Sequence, residues 1–117
     1  MMSAVMPQER RRANRFPTDL DARWEGVLTR REGKVVDLSS SGCFLLTSDE
    51  VQPGELIRLE ILTPEGPWLY LWGEVVYQVE EMGFAVHFTG TTASEMRTLK
   101  ELLAYISARR GAPQRQT

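Results

Sequence analysis

The alternation of apolar and polar residues between Thr18 and Phe88 is the strongest constraint in this sequence. Ile57, Leu59 and Ile61 alternate with Arg58 and Glu60, the pattern of a half-buried strand. Trp68, Tyr70 and Trp72 alternate with Leu69 and Leu71, and Val75, Tyr77 and Val79 carry the theme past Gly73. Phe84, Val86 and Phe88 alternate with Ala85 and His87. Val35 and Val36 lie in a β-branched run ending at Asp37, and Cys43 to Leu46 is a short apolar run. Turn-forming pairs stand between these stretches: Glu32-Gly33, Ser41-Gly42, Pro53-Gly54, Pro64-Glu65-Gly66-Pro67 and Met82-Gly83. Short strands at this spacing imply an antiparallel barrel or sandwich. Gly73, in the middle of a long strand, is expected to mark a bulge that bends the sheet.

The period changes after Phe88. Met96, Leu99, Leu102, Leu103 and Ile106 form a stripe at helical spacing. Thr92 with Glu95 fits a capping box, and Gly111 and Pro113 suit a helix stop. A helix over 92–109 therefore covers one mouth or side of the barrel. The fold class is all-β with a C-terminal helix. Residues 1–9 are expected to be a flexible N-terminus and 111–117 a flexible tail. The folded domain spans 10–110: a basic segment at 10–16, the barrel at 18–88, then the helix. Arg109, Arg110 and Arg115 suit the negative end of the helix dipole.

Length and composition exclude several functions. The chain has 117 residues and a mass of 13.3 kDa, the size of one domain. No apolar run approaches the ~18–20 residues that cross a membrane, so no membrane insertion is expected. Met1 to Pro7 lack the pattern of a signal peptide. With Cys43 the single cysteine, the expected setting is reducing and cytoplasmic. Cys43 and His87 are the only soft ligands, which excludes a structural zinc site. There is no paired-carboxylate motif, triad or G-x-x-x-x-G-K loop, so no catalytic residue, metal or cofactor is assigned and the chain does not read as an enzyme.

The net charge of −2 hides an asymmetry. Arg10, Arg11, Arg12, Arg15, Arg23, Arg30, Arg31 and Lys34 crowd the first third, while acids dominate from Asp49 to Glu81. This balance suits one compact anionic ligand. Duplex DNA needs a broad basic face, and no DNA partner is expected.

Two motifs carry the chemistry. The first is Arg11-x-x-x-Arg15, and the second is Asp37-x-Ser39-x-x-Gly42 at a strand end. Alone, the first is a solvated basic run and the second an ordinary turn in which Asp and Ser bond locally and Gly takes positive φ. Together, in this order and ahead of a β-rich body, they resemble the PilZ domain, a bacterial receptor for cyclic di-GMP. That family's signature is R-x-x-x-R on an N-terminal switch segment followed by [D/N]-x-S-x-x-G on the barrel. Gly73-Glu-Val-Val-Tyr77 and Gly83-Phe-Ala-Val-His-Phe88 also look like its last two strands, and the resemblance covers about residues 9–108.

The resemblance implies a six-stranded antiparallel β-barrel with a helix after it. It implies cyclic di-GMP as ligand, with Arg11, Arg15, Asp37, Ser39 and Gly42 as binding residues and an unidentified effector protein as partner. The residue types suit the task. A guanidinium bonds phosphate bidentately, forks onto guanine O6 and N7, and stacks on a purine face. Asp37 can accept from guanine N1–H and N2–H, Ser39 can donate or accept, and Gly42 permits close backbone approach and an unusual φ. Arg10 and Arg12 are either added phosphate contacts or solvated charges. Trp72 either lines the ligand surface or serves barrel packing. A second reading keeps the fold without the nucleotide: a protein-interaction adaptor, as in type IV pilus assembly.

Overall fold

The strands form where the alternation places them, because each buries its apolar face inside a single closed layer. The structure is a computed structural model that describes residues 14–26, 30–64 and 66–110. In chain order the strands are β1 (Phe16–Glu25), β2 (Arg30–Leu38), β3 (Gly42–Leu46), β4 (Leu56–Leu62), β5 (Trp68–Val79) and β6 (Gly83–Thr89). They close into an antiparallel barrel in the order β1-β2-β3-β6-β5-β4. Closure leaves no unpaired strand edge. The expected residues 1–9, the arginines at 10, 11 and 12, and the tail 111–117 lie outside the described residues.

The interior is filled by the alternate residues of every strand. Trp24, Val35, Leu38, Cys43, Leu45, Ile57, Leu59, Ile61, Leu71, Val75, Phe84 and Val86 are all buried in one cluster. Trp24 meets Phe84 edge to face, with ring centroids 5.2 Å apart. Helix α1 (Ala93–Arg110) lies against β1 and β5 and buries Leu99, Leu102 and Ile106 in the same core. Met96 and Leu103 are partly buried beside them. The helix starts through a reciprocal capping box. The Glu95 N–H donates to Thr92 Oγ1 at 3.1 Å, and the Thr92 N–H donates to Glu95 Oε1 at 3.0 Å. Thr92 is therefore the cap before the first helical residue.

Three irregularities break the ladders, and none is at Gly73, where the bulge was expected. Gly73 pairs in register with Ile57 and with Phe88. It points inward and is buried because a Cβ there would run into Val86 Cγ1. Its role is close packing across the barrel. The bulge in β5 falls at Val76, between Val75 and Tyr77. A second falls at Val36 in β2 opposite β3, and a third at Thr18 and Asp19 in β1. The Val36 bulge changes the alternation so that Val35 and Leu38 both face the core while Asp37 faces outward.

Gly73→Ala tests the packing argument. Forcing a methyl into this close-packed position should cost about 1–3 kcal/mol. For a domain of this size that corresponds to a fall of roughly 5–20 °C in Tm. A thermal melt followed by circular dichroism measures it, and an unchanged Tm contradicts the close-packing role.

Candidate functional site

The site is built on the turn between β2 and β3, three residues long. Its centre is the Ser39 hydroxyl, which is fully buried. Ser39 Oγ accepts the N–H of Ser41 and the N–H of Gly42, both at 3.1 Å. It also lies 3.2 Å from Ser41 Oγ and 3.3 Å from the Gly42 carbonyl. The Ser39 N–H donates to the Gly42 carbonyl at 2.8 Å. The Ser41 carbonyl accepts the Phe88 N–H at 2.9 Å, which ties the turn to β6. The structure thus places Ser39 beneath the turn, where it acts as a positioning residue.

Gly42 does not take the left-handed φ considered for it: the glycines at positive φ are Gly54, Gly66 and Gly90. Its constraint is proximity. Gly42 pairs with His87 on β6, and a Cβ would collide with the Val86 carbonyl oxygen. Cys43, next in the chain, is buried and faces the core. Burial pushes its thiol up to about 12, with the Asp37 carboxylate raising it further and the Arg15 guanidinium opposing. A protonated, enclosed thiol is not a nucleophile.

Asp37 stands on the outer surface one strand away. It pairs with Pro17 on β1 and with Phe44 on β3. The Arg15 guanidinium donates to Asp37 Oδ1 at 2.8 Å, across 22 residues of sequence. Both side chains are partly exposed, at 49% and 36%. The two motif halves thus meet at one place, a contact that spacing alone did not foretell. His87, exposed on β6 beside Gly42, extends this surface. Phe44 and Tyr77 form a tilted aromatic pair over Ala85 on the row that contains Asp37, with centroids 6.4 Å apart. Neither Phe44 nor Tyr77 was singled out in the sequence, because β3 and β5 alternation marks a face without telling which faces adjoin.

The other expected residues fall elsewhere. Trp72 is on β5, exposed at 51%, with Arg58 and Thr89 as cross-strand partners. Three strand steps, each ~4.8 Å, separate β5 from β2. The structure does not bring Trp72 to the Arg15–Asp37 cluster. Nor do the basic residues of the first third make one patch among the described residues. Arg23 and Arg30 both reach Glu60, at 3.0 and 3.4 Å, and Arg31 pairs with Asp49 at 3.3 Å. Lys34 bonds Asp19 and Asp21 at 3.1 and 3.3 Å, which raises its pKa. Carboxylates that the barrel brings close pair with these cations. No cluster of metal-ligating residues occurs among the described residues, and none of the described helices is long and apolar enough to cross a membrane.

A family model described as the PilZ domain matches residues 9–105. No curated protein matched by sequence at a significant level. Among solved structures, the PilZ domain of Escherichia coli YcgR with c-di-GMP superposes with a TM-score of 0.76 at 14% identity, covering 92% of this chain and 99% of that one. The Bacillus subtilis inhibitor of motility, MotI/DgrA, gives 0.70 at 21% identity, covering 86% of this chain and 51% of that one. The K. pneumonia MrkH–c-di-GMP complex gives 0.73 at 15% identity, covering 92% and 55%. The chain therefore spans about half the length of the last two proteins and nearly all of the isolated YcgR domain.

Two outcomes check the geometry. Ser39→Ala should strand the amides of Ser41 and Gly42 and cost about 1–3 kcal/mol, read as a lower urea midpoint. Cys43 should resist Ellman's reagent in the native chain and react once the chain is unfolded. Because the folded thiol is raised, its contribution to stability is present below the ordinary value of 9.0 and is lost as pH rises toward about 12. Native labelling as fast as denatured labelling contradicts the enclosed position.

Proposed function

Because the chain belongs to the PilZ domain family, we propose that it is a cyclic di-GMP receptor whose nucleotide rests on the Arg15–Asp37 cluster and the Ser39–Gly42 turn. The observation that carries this reading is the 2.8 Å contact that joins the two motif halves on one outer face of the barrel. The chemistry follows from those groups. Arg15 supplies a permanent cation for a phosphate or a guanine edge. Asp37, turned outward by the bulge at Val36, supplies paired acceptors for guanine N1–H and N2–H. Gly42 leaves the barrel surface free of a side chain, so a flat ligand can lie close.

The Arg15–Asp37 pair also sets the ease of binding. Both partners are half in water, where such a pair stabilises by about 0–1 kcal/mol. A nucleotide that offers a phosphate to Arg15 and a guanine edge to Asp37 replaces one weak pair with two charge-assisted contacts. Arg10, Arg11 and Arg12 precede Arg15 within one short segment. In this reading the phosphates draw that segment onto the turn, and the surface so created meets an effector protein. The coupling is limited by the ligand's preference for the closed arrangement. The domain is a binding module that signals through its partner, acting in the cytoplasm.

Titration calorimetry against cyclic di-GMP, with GTP as control, tests binding. Selective binding of the cyclic dinucleotide is expected. Arg15→Ala should weaken it by about 1.5–3 kcal/mol, about ten- to a hundred-fold, with an unchanged Tm. A folded wild-type protein that gives no signal removes the receptor reading and leaves a PilZ-fold interaction adaptor. Limited proteolysis after Arg10–Arg12 should slow at saturating nucleotide, and unchanged cleavage contradicts the closing of the segment.

A further inference from the structure

β5 is apolar on both of its faces. Of its twelve residues, Trp-Leu-Tyr-Leu-Trp-Gly-Glu-Val-Val-Tyr-Gln-Val, only Glu74 and Gln78 carry an amide or a charge. The inward residues Leu69, Leu71 and Val75 fill the core, as they must. The outward residues should be polar in a barrel whose outer face meets water. Instead Tyr70, Trp72, Val76, Tyr77 and Val79 are exposed at 44%, 51%, 52%, 53% and 40%. The bulge at Val76 adds to this by turning two consecutive apolar residues outward. Leu56 on the neighbouring β4 is exposed at 57%. A strand apolar on both faces is one that is covered on both faces, and a contiguous exposed stripe of this kind marks an interaction surface.

The charges on the stripe say what covers it. Arg58 on β4 is the cross-strand partner of Trp72, and Glu74 on β5 is the cross-strand partner of Leu56. One cation and one anion therefore sit one row apart on the same face. Neither takes part in an ion pair among the described residues. The Arg58 guanidinium instead hovers 5.4 Å from the Tyr70 ring. Glu60, the further charge on this face, is engaged by Arg23 and Arg30, and Arg58 and Glu74 have Glu25 on β1 and His87 on β6 as their other cross-strand neighbours. With charges of both signs mixed, the patch has little net field to select a strongly charged partner. It is complementary to itself. A two-fold axis running along the strands lays β4 of one copy over β5 of the other, so that Arg58 faces the second copy's Trp72 and reaches its Glu74. Each contact then forms twice, as an isologous interface requires. Trp, Tyr and Arg are also the side chains that dominate binding energy at interfaces. Every strand of the closed barrel has a neighbour on both sides, and the contact is face to face.

We propose that the outer face of β4 and β5 is the interface of a weak two-fold homodimer of this chain, centred on Trp72 and held in register by Arg58 and Glu74. The proposal is independent of the nucleotide reading. β4 and β5 lie side by side over seven rows, Leu56–Leu62 against Trp68–Glu74, with Val76, Tyr77 and Val79 beyond the end of β4. A face about 20 Å long and two strands wide is smaller than a stable interface, which makes the dimer weak and concentration-dependent.

Sedimentation velocity of the full chain, without nucleotide, from a few micromolar to several hundred micromolar tests it. The average mass should rise from 13.3 kDa toward twice that value. Trp72→Glu should remain monomeric throughout, with an unchanged circular dichroism spectrum. Arg58→Glu and Glu74→Arg should each raise the association midpoint about five-fold or more, and the double exchange should bring it back. Wild-type protein that stays monomeric overturns the proposal and leaves the stripe to a different protein. A dimer that ignores Trp72→Glu overturns it as well, because its interface lies elsewhere. Charge reversals that the double exchange does not correct overturn the two-fold pairing.

Discussion

One hydroxyl organises the end of the barrel that carries the candidate site. Ser39 Oγ collects two backbone amides of the three-residue turn between β2 and β3 and is itself shut away from solvent. Buried donors without partners are costly, so this arrangement leaves the turn little freedom. With the turn fixed, Gly42 is pressed against the Val86 carbonyl and the Ser41 carbonyl is bonded to β6. With Leu38 locked into the core behind it, Asp37 has one direction left, outward beside β1. A buried serine thereby decides where the Asp37 carboxylate stands.

The contact between Arg15 and Asp37 has a different character. It is exposed enough to be weak, and it joins the first residues of the barrel to a strand end 22 positions later. In the proposed function this weak pair is the resting state of the receptor. It keeps both groups near the place of use, and little free energy is lost when they exchange one another for a phosphate and a base. The remaining basic residues of β1 and β2 are engaged with Glu60, Asp49, Asp19 and Asp21. Arg15 is thus the described cation set beside the β2–β3 turn, while Glu60 and Asp49 from the acidic middle, with Asp19 and Asp21, pair with the rest.

Most of the fold was legible because it rests on local signals. Alternation marked the strands, glycine and proline marked the turns, and Thr92 with Glu95 marked the helix start. Bulges were not legible. They depend on which strand lies alongside, and a glycine at position 73 reads the same whether it bends a strand or makes room for Val86. The motif residues Arg15, Asp37, Ser39 and Gly42 lie near one another in the fold, but they differ in burial, which sequence does not carry. Ser39 and Asp37 look equally suited to a ligand in the sequence, and of the two only Asp37 reaches the surface. The crowding of arginines in the first third misled for a related reason. Cross-strand carboxylates that are distant in sequence, Glu60 above all, are adjacent in the barrel.

The central claim is that the nucleotide rests on the Arg15–Asp37 cluster and the Ser39–Gly42 turn. Amide chemical-shift mapping with cyclic di-GMP reads this directly, residue by residue. The account predicts the largest changes at Arg15, Asp37, Ser41, Gly42 and His87, with Tyr70 on β5 and Arg58 on β4 unmoved. Changes centred on β4 and β5, with the β2–β3 turn silent, would contradict it.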